Sequence, residues 1–275
     1  MTLGRFFRTP KGLTLIVLVV LLGVAGAGRF ALVAPGVVAA VAAAMLVDAP
    51  ILRILKKRWA FPSGALLTGL IVAMVLSPYQ KWYVAAATAV VGVISKYVVR
   101  VHSANVFNPA ALALVATFYL FHTGQSWWGA LPEQPMVAIV VLFVTGLFIA
   151  HRMNKFPAVL AFLGVYYLLA TFGTFAGDPK TVAELYRAPD LHAALYFAFF
   201  MVTDPPTSPP SARDQIVFGV ITAAAAFAIF DIVHSVYFLL AVLLVANAWE
   251  GWRRVRLRAK KALLQRERQH EGAVL

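Results

Sequence analysis

The pair Asn108–Pro109 is a first candidate for ligand chemistry because it marks a helix start within an apolar part of the chain. Asparagine is a preferred N-cap, whose side chain accepts hydrogen bonds from free backbone amides, and proline fits the first turn, where its missing amide costs nothing. The N-terminal end of a helix also carries about half a positive charge, which suits a phosphate or an electron-rich ring carbonyl. The pattern therefore predicts either a ligand site or a plain helix cap, and both interpretations stay open here.

A second candidate is the stretch Thr203–Pro210, in which four prolines follow an apolar run. Proline can neither donate a backbone hydrogen bond nor continue a helix, so the helix must stop there and its last carbonyls need partners. Asp204 falls at the predicted membrane edge, where ionisable residues are functional candidates. The alternative is a plain ion pair between Asp204 and Arg213 that braces the loop.

Three other polar residues could contact a ligand. Ser63 and Thr68 lie among small residues on one apolar run, where small residues let helices approach closely and hydroxyls can bond a ligand or a neighbouring carbonyl. Lys96 lies about one turn before the end of another run, so it could reach an anion or extend to the lipid headgroups. Asp48 also ends a run, and an interfacial position explains it as well as an ion path does. Helix packing and headgroup contacts are therefore the competing interpretations.

The composition places these residues in a membrane protein. The chain of 275 residues is 61% hydrophobic and 13% charged, with a mean hydropathy of +0.81, whereas soluble domains are about 25% charged. The net charge of +13 would suit nucleic acid in a hydrophilic chain, but the basic residues lie between apolar runs, so we expect a lipid bilayer and no nucleic acid as partner. The chain contains no cysteine, which excludes disulfides, thiolate-bound iron–sulfur clusters and cysteine nucleophiles.

Ten apolar runs have the length of transmembrane helices, about 17 to 25 residues, or fall slightly short of it. They predict an all-α, polytopic membrane fold, with a single transmembrane domain at 1–252 and a basic tail at 253–275. Lysine and arginine collect at alternate ends of the runs, so we expect both termini on the cytoplasmic side of the cell (inner) membrane. The tail is expected to lie as a charged helix on anionic lipid. The runs lie near 13–29, 31–49, 62–78, 82–100, 107–122, 135–151, 156–176, 191–204, 214–230 and 233–250.

An internal repeat is visible in how two of the runs end. Leu76–Pro78 closes the third run, and Thr203–Pro205 closes the eighth. The proline of the first motif lies 30 residues before Asn108 (108 minus 78), and that of the second lies 30 residues before Ser235 (235 minus 205). Similar helix lengths could give the same spacing by chance, which is the alternative to a repeat.

The repeat halves would span about 12–122 and 133–252, with five helices each. An odd number of spans per half inverts the second half relative to the first. We therefore predict two inverted five-helix repeats, an arrangement that places interrupted helices and a binding site at the repeat interface.

Four stretches of the chain carry a resemblance to a known family. They resemble the membrane subunits RnfD and NqrB, of the Rnf electron transport complex and the sodium-translocating NADH:quinone reductase. The resemblance implies a ten-helix bundle with inverted repeats, related in fold to urea and ammonium channels, that carries flavin and passes electrons across the membrane. The stretches are SGALLTGLIVA at 63–73, VFNPAALALV at 106–115, FFMVTDPPTSPPSARDQIVFG at 199–219 and FLLAVLLVAN at 238–247.

The resemblance also assigns individual positions. Asn108 and Pro109 match the family's NP helix start, Thr203–Pro205 matches its TDP turn, and Arg213 matches the arginine that follows that turn. With Ser63, Thr68 and Lys96, these residues form the candidate flavin-binding set, which we expect around a pocket on the cytoplasmic side.

One departure from the family concerns covalent flavin. Members that carry covalent FMN attach it through the threonine of a Ser-x-Ala-Thr or Ser-Gly-Ala-Thr element in the loop after the fifth span. The corresponding loop here, Thr123–Pro135, has no such element, and Ser63–Ala65 is followed by Leu66 in another span. We therefore expect FMN or riboflavin to bind non-covalently, with quinone as a further candidate ligand.

Two functions from different classes follow. The first is a membrane electron-transfer subunit that binds flavin non-covalently and relays electrons, with or without ion coupling, between other membrane or redox subunits; such a chain is a redox subunit of a larger complex rather than a self-contained enzyme. The second is a transporter or channel for a small solute or for flavin, because inverted repeats and broken helices equally describe transport sites. A structural scaffold for a membrane complex is a third, weaker hypothesis.

Overall fold

Ten helices correspond in order to the ten predicted runs in the parts of the chain that the computed structural model describes, residues 3–101, 104–133, 135–176, 179–233 and 238–274. The prediction of an all-α, polytopic membrane fold is thereby confirmed. A π-helical turn (Phe197–Met201) continues α10, and a 3₁₀ turn (Trp128–Ala130) follows α6. The elements are α1 (Leu3–Phe7), α2 (Pro10–Ala25), α3 (Phe30–Lys56), α4 (Ser63–Val75), α5 (Trp82–Val98), β1 (Arg100–Val101), β2 (Ala104–Asn105), α6 (Pro109–Phe121), α7 (Pro135–Arg152), α8 (Phe156–Ala176), α9 (Pro179–Glu184), α10 (Asp190–Tyr196), α11 (Ala212–Val233) and α12 (Phe238–Val274).

Among the described residues, three helices are long and apolar enough to cross a membrane on length and composition: Phe30–Lys56, Phe156–Gly173 and Ala212–Phe230. Six further apolar helices are 10–17 residues long within the described part of the chain, and a bilayer accommodates short spans by thinning locally. The outer face of α3 is apolar, since Phe30 and Leu46 are each about three-quarters exposed. A contiguous apolar surface of this kind requires lipid or another membrane protein rather than water.

Three of the helix pairings recur in the two halves. The second and fourth helices of each half pack most extensively, as α3 with α5 and α8 with α11. The fourth helix also packs against the fifth in both halves, and the first against the third. This recurrence is expected of two five-helix repeats. Ser235, which the spacing argument used, lies outside the described residues.

The end of α4 is capped by the loop that follows α6. The backbone amides of Ser126 and Trp127 both donate to the Val75 carbonyl, at 3.0 and 3.1 Å. The indole of Trp128 donates to the Ala73 carbonyl at 2.8 Å. Carbonyls that a helix end leaves without partners are thereby paired, so the loop after the fifth helix closes the break in the third helix of the same half.

Two boundaries differ from the predicted ones. α3 was expected to end before Pro50 but continues to Lys56, where Lys57 leaves the helix in a left-handed conformation at a φ of 54°. The basic tail, which was expected to lie as a charged helix on anionic lipid, continues α12 as one helix of 37 residues. The sequence from Trp252 to Glu271 contains neither glycine nor proline. Because sharp helix kinks occur almost always at such residues, this stretch continues α12 without a break.

Two glycines let neighbouring helices approach backbone to backbone. A Cβ at Gly69 of α4 would lie 3.0 Å from the Ala40 carbonyl oxygen of α3. A Cβ at Gly219 of α11 would lie only 2.6 Å from the Ala158 carbonyl oxygen of α8. Since these contacts are with backbone, no side chain can rotate away to make room, and both positions require glycine.

We expect Gly219→Ala to lower the stability of the detergent-purified protein by about 1–3 kcal/mol, the usual cost of overpacking a close contact. Gly164→Ala on the facing helix is the matched control, because a Cβ there meets nothing within 4 Å and alanine improves helix propensity by up to about 1 kcal/mol. The measurement is the thermal unfolding midpoint. Equal midpoints for Gly219→Ala and the unmodified chain would show that α8 and α11 do not pack this closely.

Candidate functional site

The turn after α10 is organised by Asp204. Its backbone carbonyl accepts from the amides of Thr207 and Ser208, at 3.2 and 3.1 Å, and from the Ser208 hydroxyl at 2.7 Å. Its carboxylate accepts from the Thr207 hydroxyl at 2.8 Å. The hydroxyl of Thr203 donates back to the Phe199 carbonyl at 2.6 Å. Asp204 thus reverses the chain immediately after the helix stops.

Every carbonyl from residue 206 to residue 210 accepts a hydrogen bond from a side chain of another element. These carbonyls lie in the turn that follows the helix end at Met201, where the prolines prevent a helical hydrogen-bond pattern. The donors come from α11, α12 and the connection between α7 and α8. The pairs are Pro206 with Arg254 (2.6 Å), Thr207 with Asn247 (3.1 Å), Ser208 with Arg254 and Lys155 (3.2 and 3.3 Å), Pro209 with Lys155 (2.6 Å) and Pro210 with Gln215 (3.2 Å).

Lys155 is unusual among these donors because it is almost fully buried, with 4% of its surface exposed. Burial lowers its pKa to about 8, although the negative charges of Asp204 and Glu250 oppose that shift. The two accepting carbonyls supply the hydrogen bonds that water would otherwise give its ammonium group. Lys155 therefore stabilises the turn from within the protein through its hydrogen bonds to these two backbone carbonyls.

Asn247 of α12 joins the turn to the start of α6. Its side-chain oxygen accepts from the Asn108 amide at 2.8 Å, and its side-chain nitrogen donates to the Thr207 carbonyl at 3.1 Å. Asn247 is fully buried. It ends the fourth stretch that carries the family resemblance, yet the sequence analysis did not select it as a site residue. The sequence did contain an indication of this role, namely a single amide side chain within an otherwise apolar run.

The start of α6 is a fully satisfied helix cap. The side-chain oxygen of Asn108 accepts from the amides of Ala110 and Ala111, both at 3.1 Å, and its carbonyl accepts from the Leu112 amide. Pro109 has no amide to offer. The cap interpretation is therefore the one that the hydrogen bonds support, and the first-turn amides are not free to bind a phosphate. Only the helix dipole acts on a ligand beside this end.

A cavity of about 460 Å³ lies between α3, α4, α5, α6 and the turn after α10. Four of these elements contribute residues of the candidate set, although the residues are far apart in sequence. Apolar side chains such as Leu67, Ile71 and Phe200 complete the wall. The members of the candidate set that line the cavity are Ser63, Thr68, Lys96, Asn108, Pro109, Thr203 and Asp204.

Arg213 does not line this cavity, which corrects its placement in the candidate set. It is exposed in the first turn of α11, and no ion pair joins it to Asp204 among the described residues. Gln215 is buried and binds the turn, and successive helical residues are about 100° apart. Arg213 and Gln215 are two residues apart and therefore lie about 200° apart around the axis of α11. Arg213 thus points to the side of the helix opposite to the turn.

The inner end of the cavity holds a charge pair that the sequence did not predict. The Lys96 ammonium lies 3.0 Å from a carboxylate oxygen of Asp48, and the Tyr97 hydroxyl donates to the same oxygen at 2.6 Å. Asp48 is 2% exposed. Lys96 therefore pairs within the protein instead of extending to headgroups, and Asp48 belongs to the cavity rather than to the interface.

The more exposed part of the cavity lining is basic. Lys11, Lys56 and Arg100 contribute cations there, against the single carboxylate of Asp204. At the Lys96 end of the cavity the cation is thus paired with a carboxylate of the protein, whereas at the exposed end the cations outnumber the carboxylates. Its volume falls within the roughly 300–1,000 Å³ typical of small-molecule pockets. The arrangement suits a ligand with a largely neutral ring system and an anionic group.

We expect Asn247→Leu to destabilise the protein by about 1–3 kcal/mol, because it leaves the Asn108 amide and the Thr207 carbonyl buried without partners. Gln265→Leu, which removes an exposed amide of the same helix, should change stability by less than about 0.5 kcal/mol. Thermal unfolding in detergent measures both. If the two variants melted together with the unmodified chain, Asn247 would not hold the two helix breaks.

Residues 11–137 match the model of the NQR2, RnfD, RnfE family. The match runs from the start of α2 into α7, so it contains the first five-helix half and the Asn108 cap but not the Asp204 turn. No curated protein matches the chain. The match covers slightly less than half of the chain, and over these residues the chain is similar to the NQR2, RnfD, RnfE family, in agreement with the predicted resemblance, the apolar helices and the polytopic fold.

Proposed function

We propose that this subunit binds FMN or riboflavin non-covalently in the central cavity and relays electrons between other subunits of its complex. The observation that carries the proposal is the convergence of polar residues from α4, α5, α6 and the Asp204 turn on one cavity. Bound flavin supplies the redox chemistry, while the protein supplies binding, orientation and electrostatics.

The lining offers groups suited to each part of a flavin. Leu67, Ile71 and Phe200 provide apolar surface for a ring system, and Ser63 provides a hydroxyl beside it. The hydroxyl of Thr68 donates to the Gly64 carbonyl at 2.8 Å, so it is left to act as an acceptor. The exposed cations would pair with the phosphate of FMN. The first-turn amides of α6 already have hydrogen-bond partners, so side chains rather than these amides would bind the phosphate.

Non-covalent binding is consistent with the use of the loop after α6. Backbone amides of that loop and the Trp128 indole are engaged in capping α4. The loop therefore has a structural task, and it contains no threonine in the sequence context that carries covalent FMN in relatives.

The proposal includes an orientation with both termini cytoplasmic in the cell inner membrane. Lys11, Lys56 and Arg100 share the cavity with Asp204, and Lys155 and Arg254 bind the turn that Asp204 begins. These cations therefore collect at one end of the bundle. The positive-inside rule supports a cytoplasmic assignment for that end.

Flavin binding is tested by the visible absorption spectrum of detergent-purified protein. We expect oxidised-flavin bands, with the flavin released into the supernatant by acid precipitation because no covalent bond holds it. Gly64→Leu should reduce the flavin content by at least about tenfold, because Gly64 lines the cavity and a leucine there would occupy space needed by the flavin. A Cβ at this position has room, since the nearest atom, the Lys96 nitrogen, is 3.8 Å away.

Arg213→Gln is the control for that variant, because Arg213 lies outside the cavity and should keep the full flavin content. A colourless unmodified protein that moves labelled solute across vesicle membranes would overturn the proposal in favour of transport. Equal flavin in Gly64→Leu and Arg213→Gln would place the flavin elsewhere in the molecule.

The combined variant Lys11→Gln and Lys56→Gln separates FMN from riboflavin. Removing two exposed cations should weaken FMN binding by roughly fivefold to tenfold at low salt, and less at high salt, since exposed ion pairs are weak and screened. Riboflavin affinity should not change, because riboflavin has no phosphate. Fluorescence quenching of each flavin titrated with protein measures both affinities, and a parallel loss of both would contradict the role of these lysines.

A further inference from the structure

The outer part of α12 is a long helix whose described side chains beyond Arg254 are exposed rather than packed against the bundle. Most side chains of α12 up to Glu250 are buried or half-buried in the bundle, whereas all side chains described beyond Arg254 are exposed. From Val255 to Val274 the helix extends about 30 Å at 1.5 Å per residue. We call residues 253–274 the α12 extension. The described residues beyond Arg254 therefore continue α12 outside the helix bundle.

The base of the α12 extension is fixed in direction. Arg253 binds both Glu250, at 2.6 Å, and Asp214 of α11, at 2.7 Å. Arg254 binds Glu250 and the carbonyls of Pro206 and Ser208. Glu250 is buried, so these contacts are well shielded from water. The extension therefore leaves the bundle along the axis of α12 rather than from a flexible joint.

This direction disfavours a lipid surface as the main partner. Transmembrane helices tilt by about 20° on average, so a straight continuation carries the far end of the extension roughly 30 Å from the headgroups. The surface potential of anionic lipid falls off within a Debye length, about 8 Å at physiological salt. Only the first turn of the extension would feel the membrane, and the cations beyond it need another partner.

The charge and the apolar residues of the α12 extension indicate an acidic protein. Residues 253–268 contain eight arginines and lysines and one glutamate. Val255, Leu257, Leu263 and Leu264 are each about half exposed among these cations. Nucleic acid would pair with the cations but would not cover the leucines, whereas protein interfaces combine apolar contacts with charge complementarity.

A cleft at the base of the α12 extension connects this surface to the central cavity. The cleft has a volume of about 360 Å³, and Leu257, Arg258 and Lys261 line it together with Pro205 and Ser208 of the Asp204 turn. Pro205 also lines the central cavity. A protein bound in the cleft would therefore touch the segment that forms the cavity wall.

We propose that the α12 extension and the cleft at its base are the docking surface for a water-soluble protein that presents an acidic face. The surface is separate from the flavin proposal, since it requires no bound ligand in the cavity. The docked protein contacts the extension through its leucines and cations, and it reaches the Asp204 turn through the cleft.

The first test places a photoreactive amino acid at Leu263 of the full-length chain in membranes of the native host, with the same label at Leu160, an exposed residue of α8, as control. We expect a protein adduct at Leu263 that is absent at Leu160. The adduct must map to an acidic segment of a soluble protein. Adducts to lipid or nucleic acid alone, or no adduct, would overturn the proposal.

The second test purifies the adduct partner and measures its binding to the full-length chain in phosphatidylcholine nanodiscs. The combined variant Arg256→Gln, Arg258→Gln, Lys260→Gln and Lys261→Gln should weaken binding by at least about tenfold, as should raising the salt. Lys57→Gln with Arg58→Gln, exposed cations beyond α3, should leave binding unchanged. Equal affinity for both variants would contradict docking on the α12 extension. The flavin content of both should match that of the unmodified chain, which keeps this test independent of the cavity.

Discussion

The pairing of five consecutive carbonyls after α10 determines how the cavity end of the bundle is built. An unpaired peptide group in apolar surroundings costs several kcal/mol, and four prolines deprive this segment of any helical solution. The donors must therefore come from elsewhere, and Lys155, Asn247, Arg254 and Gln215 supply them. Each donor side chain thereby holds the helix or connection that carries it next to the turn. The cavity is the space that remains between the turn and the helices so positioned.

The same constraint acts at the other end of the bundle by different means. The end of α4 receives backbone amides and the Trp128 indole from the loop after α6, whereas the end of α10 receives side chains, chiefly from α12. In each half, the fifth helix or its continuation closes the break in the third. The two breaks are alike in which helix of the half supplies the donors, and the difference in chemistry leaves a cavity at one end, where long side chains hold the turn, and a packed loop at the other.

The order of the helices could be predicted because apolar runs bounded by charges have few alternatives in lipid. The Asp204 turn could be predicted because prolines stop a helix wherever they occur. The cavity could only partly be predicted. Asn108 and Asn247 are bonded across 139 residues of sequence, and nothing local to a lone buried amide names its partner. Asp48 gave the same difficulty. From the sequence, an acidic residue at a helix end fits a position at the membrane interface, and only the structure shows that it forms an ion pair with Lys96.

Arg213 and the α12 extension illustrate two other limits. The placement of Arg213 depended on its position after the turn, but the rotation of α11 is set by the buried Gln215 and Phe218, which the resemblance did not consider. The continuity of α12 could have been inferred from the lack of glycine and proline after Trp252. A high positive charge favoured the lipid surface instead, because charge alone does not specify the direction of a helix.

Asn247 and Arg254 lie on one continuous helix, and both bind the Asp204 turn. Since seven residues make about two helical turns, these two contacts hold the turn at two heights along the same rod. The direction of the outer part of α12 and the position of the cavity wall are therefore fixed by contacts of one and the same helix.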